Sequence, residues 1–175
     1  KKEYLNGLYM NILVLGSNGM IGNAIFSYLC VETEFKVNGS LRNKELVNKN
    51  FLHLNGKNIV EIDPLNLPET EAKIKTLNPD VIINCLGITK HVFKNYSKTI
   101  IKAINSSFPH LLVNLSEKYN FRLIQISTDC VFSGKKGNYN ENDKCDALDF
   151  YGKSKFEGEV KSKNVLNIRT SIIGK

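Results

Sequence analysis

NILVLGSNGMIG, Asn11 to Gly22, is the stretch whose reading decides the fold. Its first half, Asn11 to Gly16, is an unbroken apolar run of strand length. Such a run suits a strand buried on both faces better than one alternating between core and solvent. Its second half, GSNGMIG, sets glycines at 16, 19 and 22, just where a segment with helical periodicity begins, Met20 to Leu29. Glycines in a strand-to-helix turn let backbone N–H groups approach a phosphate closely, and the helix N-terminus adds partial positive charge. Glycines also make plain turns, but this strand-before, helix-after context is the one dinucleotide binding demands. Gly16, Ser17, Asn18, Gly19, Met20, Ile21 and Gly22 are therefore candidate cofactor-binding residues. The spacing is Gly-x-x-Gly-x-x-Gly rather than Gly-x-Gly-x-x-Gly.

Outward from this turn the pattern repeats. Strand-length apolar segments run from Asp80 to Gly87, Phe121 to Thr128 and Val165 to Ile173, with weaker ones at Phe35 to Leu41 and Lys57 to Asp63. Helical periodicity lies between them, at Leu67 to Leu77, Tyr96 to Lys118 and Phe150 to Lys161. Strands separated by helices predict an α/β fold: a Rossmann-type, doubly wound parallel sheet with helices on both faces. Right-handed crossovers then bring the carboxyl ends of all strands, and the ligand, to one edge.

Composition narrows the classes. A chain of 175 residues with 42% hydrophobic and 23% charged residues suits one soluble domain. No apolar run approaches the roughly 20 residues of a membrane-spanning helix. Lys1 to Tyr9 reads as an N-terminal extension (1–9), without the cleavage signature of a leader, ahead of a nucleotide-binding domain over 10–175. The net charge of +7 comes from lysines spread along the chain, and arginine is scarce, so nucleic-acid binding is not expected. Four cysteines and three histidines show no metal-ligand spacing; no metal site is expected, and a reducing cytoplasm is the expected location.

The strand ends carry the remaining candidates. After the second strand the chain reads VNGSLRNK, with Arg42 and no acid before Glu45. An acid there would hold both ribose hydroxyls of NAD, whereas an arginine suits the 2′-phosphate of NADP, so NADP is favoured over NAD. Arg42 could also stack on adenine or sit in solvent. Asp63 could meet the adenine amino group or cap the turn at Pro64. Leu86 and Gly87 end the fourth strand, where the glycine leaves room for a cofactor. The fifth ends in ISTDCVF, setting Ser127, Thr128 and Asp129 on the rim. Tyr151 and Lys155, four apart, share one face of a predicted helix. An ammonium beside a phenol favours the phenolate.

Taken together, Gly-x-x-Gly-x-x-Gly, ISTDCVFSGKKGNYNEND, YGKSKFEGE and IRTS resemble the extended short-chain dehydrogenase/reductases, and most nearly the dTDP-4-dehydrorhamnose reductases, from about Met10 to Gly174. The resemblance implies a catalytic triad of Thr128, Tyr151 and Lys155. It implies cofactor contacts at Gly16 to Gly22, Arg42, Asp63, Leu86, Gly87 and Thr89, and also at Tyr151 and Lys155. Thr128 and Asp129 would touch the sugar. Lys155 would hold the nicotinamide ribose and lower the phenol, and Tyr151 would deliver a proton as hydride reaches the carbonyl carbon.

Two departures stand out. Cys130 occupies a position where those reductases usually have tyrosine. The chain also stops near the end of the nucleotide-binding part, without the smaller C-terminal substrate domain of such enzymes. Pro109 cannot donate to the carbonyl of Asn105, so the helix Tyr96 to Lys118 should kink there. The resemblance then gives the Asn105 carbonyl a water-holding role in a proton relay to the lysine; the alternative is a break capped by Ser106 or Ser107. The expected function is NADP-dependent reduction of a nucleotide-linked 4-keto-6-deoxysugar in surface polysaccharide synthesis. A nucleotide-sugar epimerase and a catalytically silent NADP-binding regulatory subunit are the alternatives, and a homodimer is left open.

Overall fold

The computed structural model describes residues 10–43 and 58–171. Six strands, β1 (Asn11–Leu15), β2 (Lys36–Leu41), β3 (Ile59–Glu61), β4 (Val81–Asn84), β5 (Arg122–Thr128) and β6 (Val165–Thr170), form one sheet. Their order is β3-β2-β1-β4-β5-β6, and every pairing is parallel. The order reverses direction between β1 and β4, the switch point at which such sheets leave a crevice beyond their carboxyl ends.

The apolar run of β1 serves both faces. Ile12 and Val14 join Phe26 of helix α1 (Met20–Glu32), together with Val37 and Ile83. Leu13 and Leu15 join the opposite core with Ile74 of α2 (Leu67–Leu77), and with Leu112 and Leu115 farther along the chain. Leu13, Val14 and Leu15 are completely buried. Burial of each such side chain is favourable by about 1.5–3 kcal/mol, which fixes β1 as the centre of the sheet.

Local signals set the helix ends. Asn66 caps α2 by accepting from the Glu69 N–H, with Pro68 in the first turn, and Asn78 closes it in the left-handed conformation. The segment expected as one helix over Tyr96 to Lys118 is α3 (Lys98–Lys102), a π-helical turn Ala103–Ser107, and α4 (Phe108–Tyr119). The chain thus neither breaks nor makes a simple kink. A π turn absorbs Pro109, with the Phe108 N–H reaching back to the Ala103 carbonyl. Ser107 makes no side-chain cap, and the Ser106 hydroxyl donates to the Ser154 carbonyl instead, at 2.8 Å.

The last helix, α5 (Phe150–Glu157), is shorter than the periodicity predicts. Gly158 ends it, and a side chain there would collide with the Asn105 carbonyl, so this glycine is also where α5 and the π turn touch. Ile172 and Ile173, expected in the last strand, lie outside the described residues.

Candidate active site

The crevice begins at the glycine loop. Gly16 has φ +76, a backbone conformation that favours glycine, and a Cβ there would press on Leu86. A Cβ at Gly22 would overlap the Gly16 carbonyl, so the first turn of α1 lies directly on the loop. The Gly19 N–H closes the turn on the Gly16 carbonyl at 2.9 Å. Asn18, Gly19 and Met20 are exposed at the helix N-terminus. Ser17 is turned inward and fully buried: its N–H and its hydroxyl both donate to the Ser40 carbonyl, at 3.0 and 2.9 Å. It holds β1 to β2 and shapes the loop.

Arg42 lies exposed just past β2. Asp63 follows β3, and its carboxylate accepts from the Leu65 N–H at 3.0 Å, spanning the turn at Pro64. Among the alternatives for Asp63, the geometry is that of the turn cap.

From the glycine loop the wall continues through Leu86 to Gly87. Asn84, fully buried, donates to the Gln125 side chain at 2.8 Å and accepts from the Leu86 N–H at 3.1 Å, fixing the exit of β4. A Cβ at Gly87 would stand 3.3 Å from the Lys155 Nζ and 3.6 Å from the Asn105 Oδ1. The glycine therefore leaves room beside the lysine Nζ. Thr89, exposed, opens the 3-10 turn Lys90–Asn95.

The candidate hydroxyl, phenol and ammonium lie near the end of β5. Tyr151 and Lys155 lie one turn apart on α5, whose N-cap is Asp149, accepting from the Gly152 N–H at 2.8 Å. Lys155 is 5% exposed and donates to the Ile126 carbonyl at 2.9 Å. The buried Thr128 stands beside Tyr151 and its hydroxyl favours the ionised phenol. The Thr128 hydroxyl also donates to Asp129 Oδ1 at 3.2 Å and accepts from the Cys130 N–H. A hydroxyl, a phenol and an ammonium thus stand together on the carboxyl edge, within one contiguous wall from Gly16 through Leu86 and Gly87. Burial pushes the Lys155 ammonium down to about 8, with the Glu159 carboxylate opposing the shift.

The electrostatics of Tyr151 differ from the sequence-based expectation. Burial pushes its phenol above the ordinary value, while the Thr128 hydroxyl and the Lys90 ammonium pull it down. The expectation had Lys155 lowering the phenol; instead desolvation dominates, and the Lys155 ammonium is engaged by the Ile126 carbonyl.

Asn105, 1% exposed, uses its side chain on the neighbouring loop. It accepts from the Ile88 N–H at 2.8 Å and donates to the Ile88 carbonyl and the Ser154 hydroxyl, both at 3.0 Å. Its own carbonyl lies against Gly158.

Three groups beside the site went unremarked in the sequence. Lys90 pairs with Asp149 at 2.6 Å. Asp149 was the legible one, an aspartate directly before a helical pattern. Glu159 receives the Ser127 hydroxyl at 2.5 Å and a forked pairing from Arg169, at 3.0 Å from Nε and 2.7 Å from Nη2. This pairing braces β5 and β6 under Thr128. A groove of about 1090 Å³ starts at Asp129 and Cys130 and runs past Phe132 and Tyr139 to Arg169. Among the described residues no cluster of metal-ligating side chains occurs, and no helix is long and apolar enough to cross a membrane.

Known proteins resemble the chain over most of its length. The chain is 31% identical over 159 residues to methionine adenosyltransferase 2 subunit beta of Danio rerio, covering 86% of the chain and 43% of that protein. It is 27% identical to a dTDP-4-dehydrorhamnose reductase of Aggregatibacter actinomycetemcomitans, covering 85% of the chain and 45% of the relative. The chain thus spans less than half the length of either. Its fold superposes, with a TM-score of 0.76 and 28% identity, on a crystal structure titled a hypothetical dTDP-4-dehydrorhamnose reductase from Sulfolobus tokodaii. That match covers 91% of the chain and 55% of the other. The family described as RmlD substrate binding domain matches residues 10–173, and the chain belongs to that family.

Proposed function

We propose that the protein is the nucleotide-binding part of an NADP-dependent reductase acting on a nucleotide-linked 4-keto-6-deoxysugar. The observation that carries this reading is the meeting of Thr128, Tyr151 and Lys155 at one strand end, in line with the glycine loop. A bound dinucleotide would lay its pyrophosphate over Gly19 and the N-terminus of α1 and its nicotinamide ribose beside Gly87. The cofactor supplies hydride. Lys155, next to Gly87, would hold the ribose hydroxyls, Thr128 would orient the substrate carbonyl by its hydroxyl, and Tyr151 would deliver the proton to the carbonyl oxygen. Arg42, exposed after β2 where an acid would suit NAD, supports the preference for NADP. A cytoplasmic setting belongs to the same reading, since the reduced cofactor is held there.

The kinship with methionine adenosyltransferase 2 subunit beta favours a second reading, an NADP-binding subunit that regulates a partner without turnover. One assay separates the two. A full-length version is mixed with NADPH and dTDP-4-dehydrorhamnose, and the absorbance of the reduced cofactor is followed. Oxidation that Tyr151→Phe abolishes is expected. Saturable NADPH binding without oxidation by any 4-keto-sugar nucleotide would transfer the protein to the regulatory class.

A further inference from the structure

The second cation beside Tyr151 has no place in the triad. Lys90 opens the 3-10 turn after β4, and its ammonium stands 5.8 Å from the centre of the Tyr151 ring. It is held there by Asp149, whose other oxygen caps α5. One carboxylate thus fixes both the start of the helix that carries Tyr151 and the cation that looks onto it. Phe93, three residues on in the same turn, packs edge-on against both Phe150 and Tyr151, with ring centres 6.0 and 6.1 Å away. The turn is therefore docked on the first turn of α5 by an ion pair and two ring contacts.

We infer that Lys90 is a positioning residue for proton transfer: an ammonium that Asp149 and Phe93 fasten against Tyr151, stabilising the phenolate left when the proton departs. The inference rests on the proposed reductase chemistry for its use, because it gives Tyr151 the proton donor's part. Lys155 cannot do this work alone here, since its ammonium is spent on the Ile126 carbonyl while burial holds the phenol up. Lys90 is half-exposed and so keeps its charge at little desolvation cost. The groups that bear on Tyr151 are Lys90 from the turn after β4, and Thr128, Asp129 and Cys130 from the end of β5. Asp149 stands at the cap of its own helix and Lys155 one turn further along it. Asp129 and Cys130 oppose ionisation of Tyr151 and the Lys90 ammonium favours it.

The test reads Tyr151 directly and needs neither cofactor nor substrate, so its failure is distinct from failure of the reductase reading. With 3,5-difluorotyrosine at position 151, whose lower intrinsic pKa brings the titration into a mild range, fluorine NMR gives the ionisation midpoint. Lys90→Met keeps the apolar stem over the ring and removes the charge; it should raise the midpoint by roughly half a unit or more. Lys90→Arg keeps the charge and should hold the midpoint near its original place. An unchanged midpoint in Lys90→Met would overturn the inference. So would an equal displacement in Lys90→Arg, because a packing role moves both and a charge role only the first.

Discussion

The two walls of the crevice are built by opposite means. On the β1 side the chain makes room by leaving atoms out: glycines stand at 16, 19 and 22, a Cβ at Gly22 would overlap the Gly16 carbonyl, and Ser17 faces inward. On the β5 side the chain fills the space with polar groups and wires them together. Thr128 is tied to Asp129 and Cys130, Lys155 to Ile126, Asn105 to Ile88 and Ser154, and Glu159 to Ser127 and Arg169. The first wall is rigid by steric exclusion, the second by hydrogen-bond satisfaction. They should therefore fail differently when altered.

The largest effect is expected on the glycine side. Gly22→Ala forces a methyl into the Gly16 carbonyl, with no flexible neighbour to yield, and should cost roughly 3 kcal/mol in urea unfolding. NADPH binding should be lost with it. A stable variant that still binds NADPH would mean α1 can slide off the loop, and the steric account of this wall would be wrong.

The second prediction uses pH on the polar side. Lys155 titrates near 8 when folded and near its ordinary 10.5 when unfolded. Between those values the unfolded chain holds more protons, so stability from this group rises with pH across the window and is lowest below about 8. Lys155→Met removes that dependence. The difference in stability between parent and variant should move in favour of the parent by up to about 3 kcal/mol from pH 7.5 to 10.5, conditions chosen as the approximate bounds of the shift. Cys85, pushed up to about 12 by burial with the Lys155 ammonium opposing the shift, works against the trend in both proteins. A flat difference would show that Lys155 is not desolvated as its burial implies.

Asn105→Ala should fall next. It strands the Ile88 N–H and carbonyl in a buried place, at a cost of about 2 kcal/mol by urea unfolding, and frees the loop that carries Gly87. Ser17→Ala, which removes one buried bond to Ser40, should cost only about 1 kcal/mol and leave NADPH affinity within a few-fold of the parent. If Ser17→Ala abolished binding while Gly22→Ala did not, the assignment of the two walls would be reversed.

The same contrast explains what could be read in advance. Glycine at 16, 19 and 22 is a steric requirement written at fixed spacing, and the continuous apolar run of β1 declares its burial on both faces. Sheet type and crevice position follow from those residues. Tyr151 and Lys155 could be paired because a helix repeats every turn. The electrostatics could not. Whether Lys90 or Lys155 faces the phenol depends on how the turn after β4 docks on α5, which Phe93 decides through contacts 57 and 58 residues away in sequence. The π turn was equally hidden: Pro109 announces a disturbance, but its form depends on Ser106 finding Ser154 and on Gly158 admitting the Asn105 carbonyl.

The central claim is that one dinucleotide spans both walls. Backbone amide NMR of the protein titrated with NADPH tests it most directly. The account predicts that shifts gather at Gly16 to Gly22, at Gly87 and Thr89, and at Tyr151 to Lys155, all with one shared affinity. Shifts confined to the groove between Phe132, Tyr139 and Arg169, with the glycine loop silent, would contradict it.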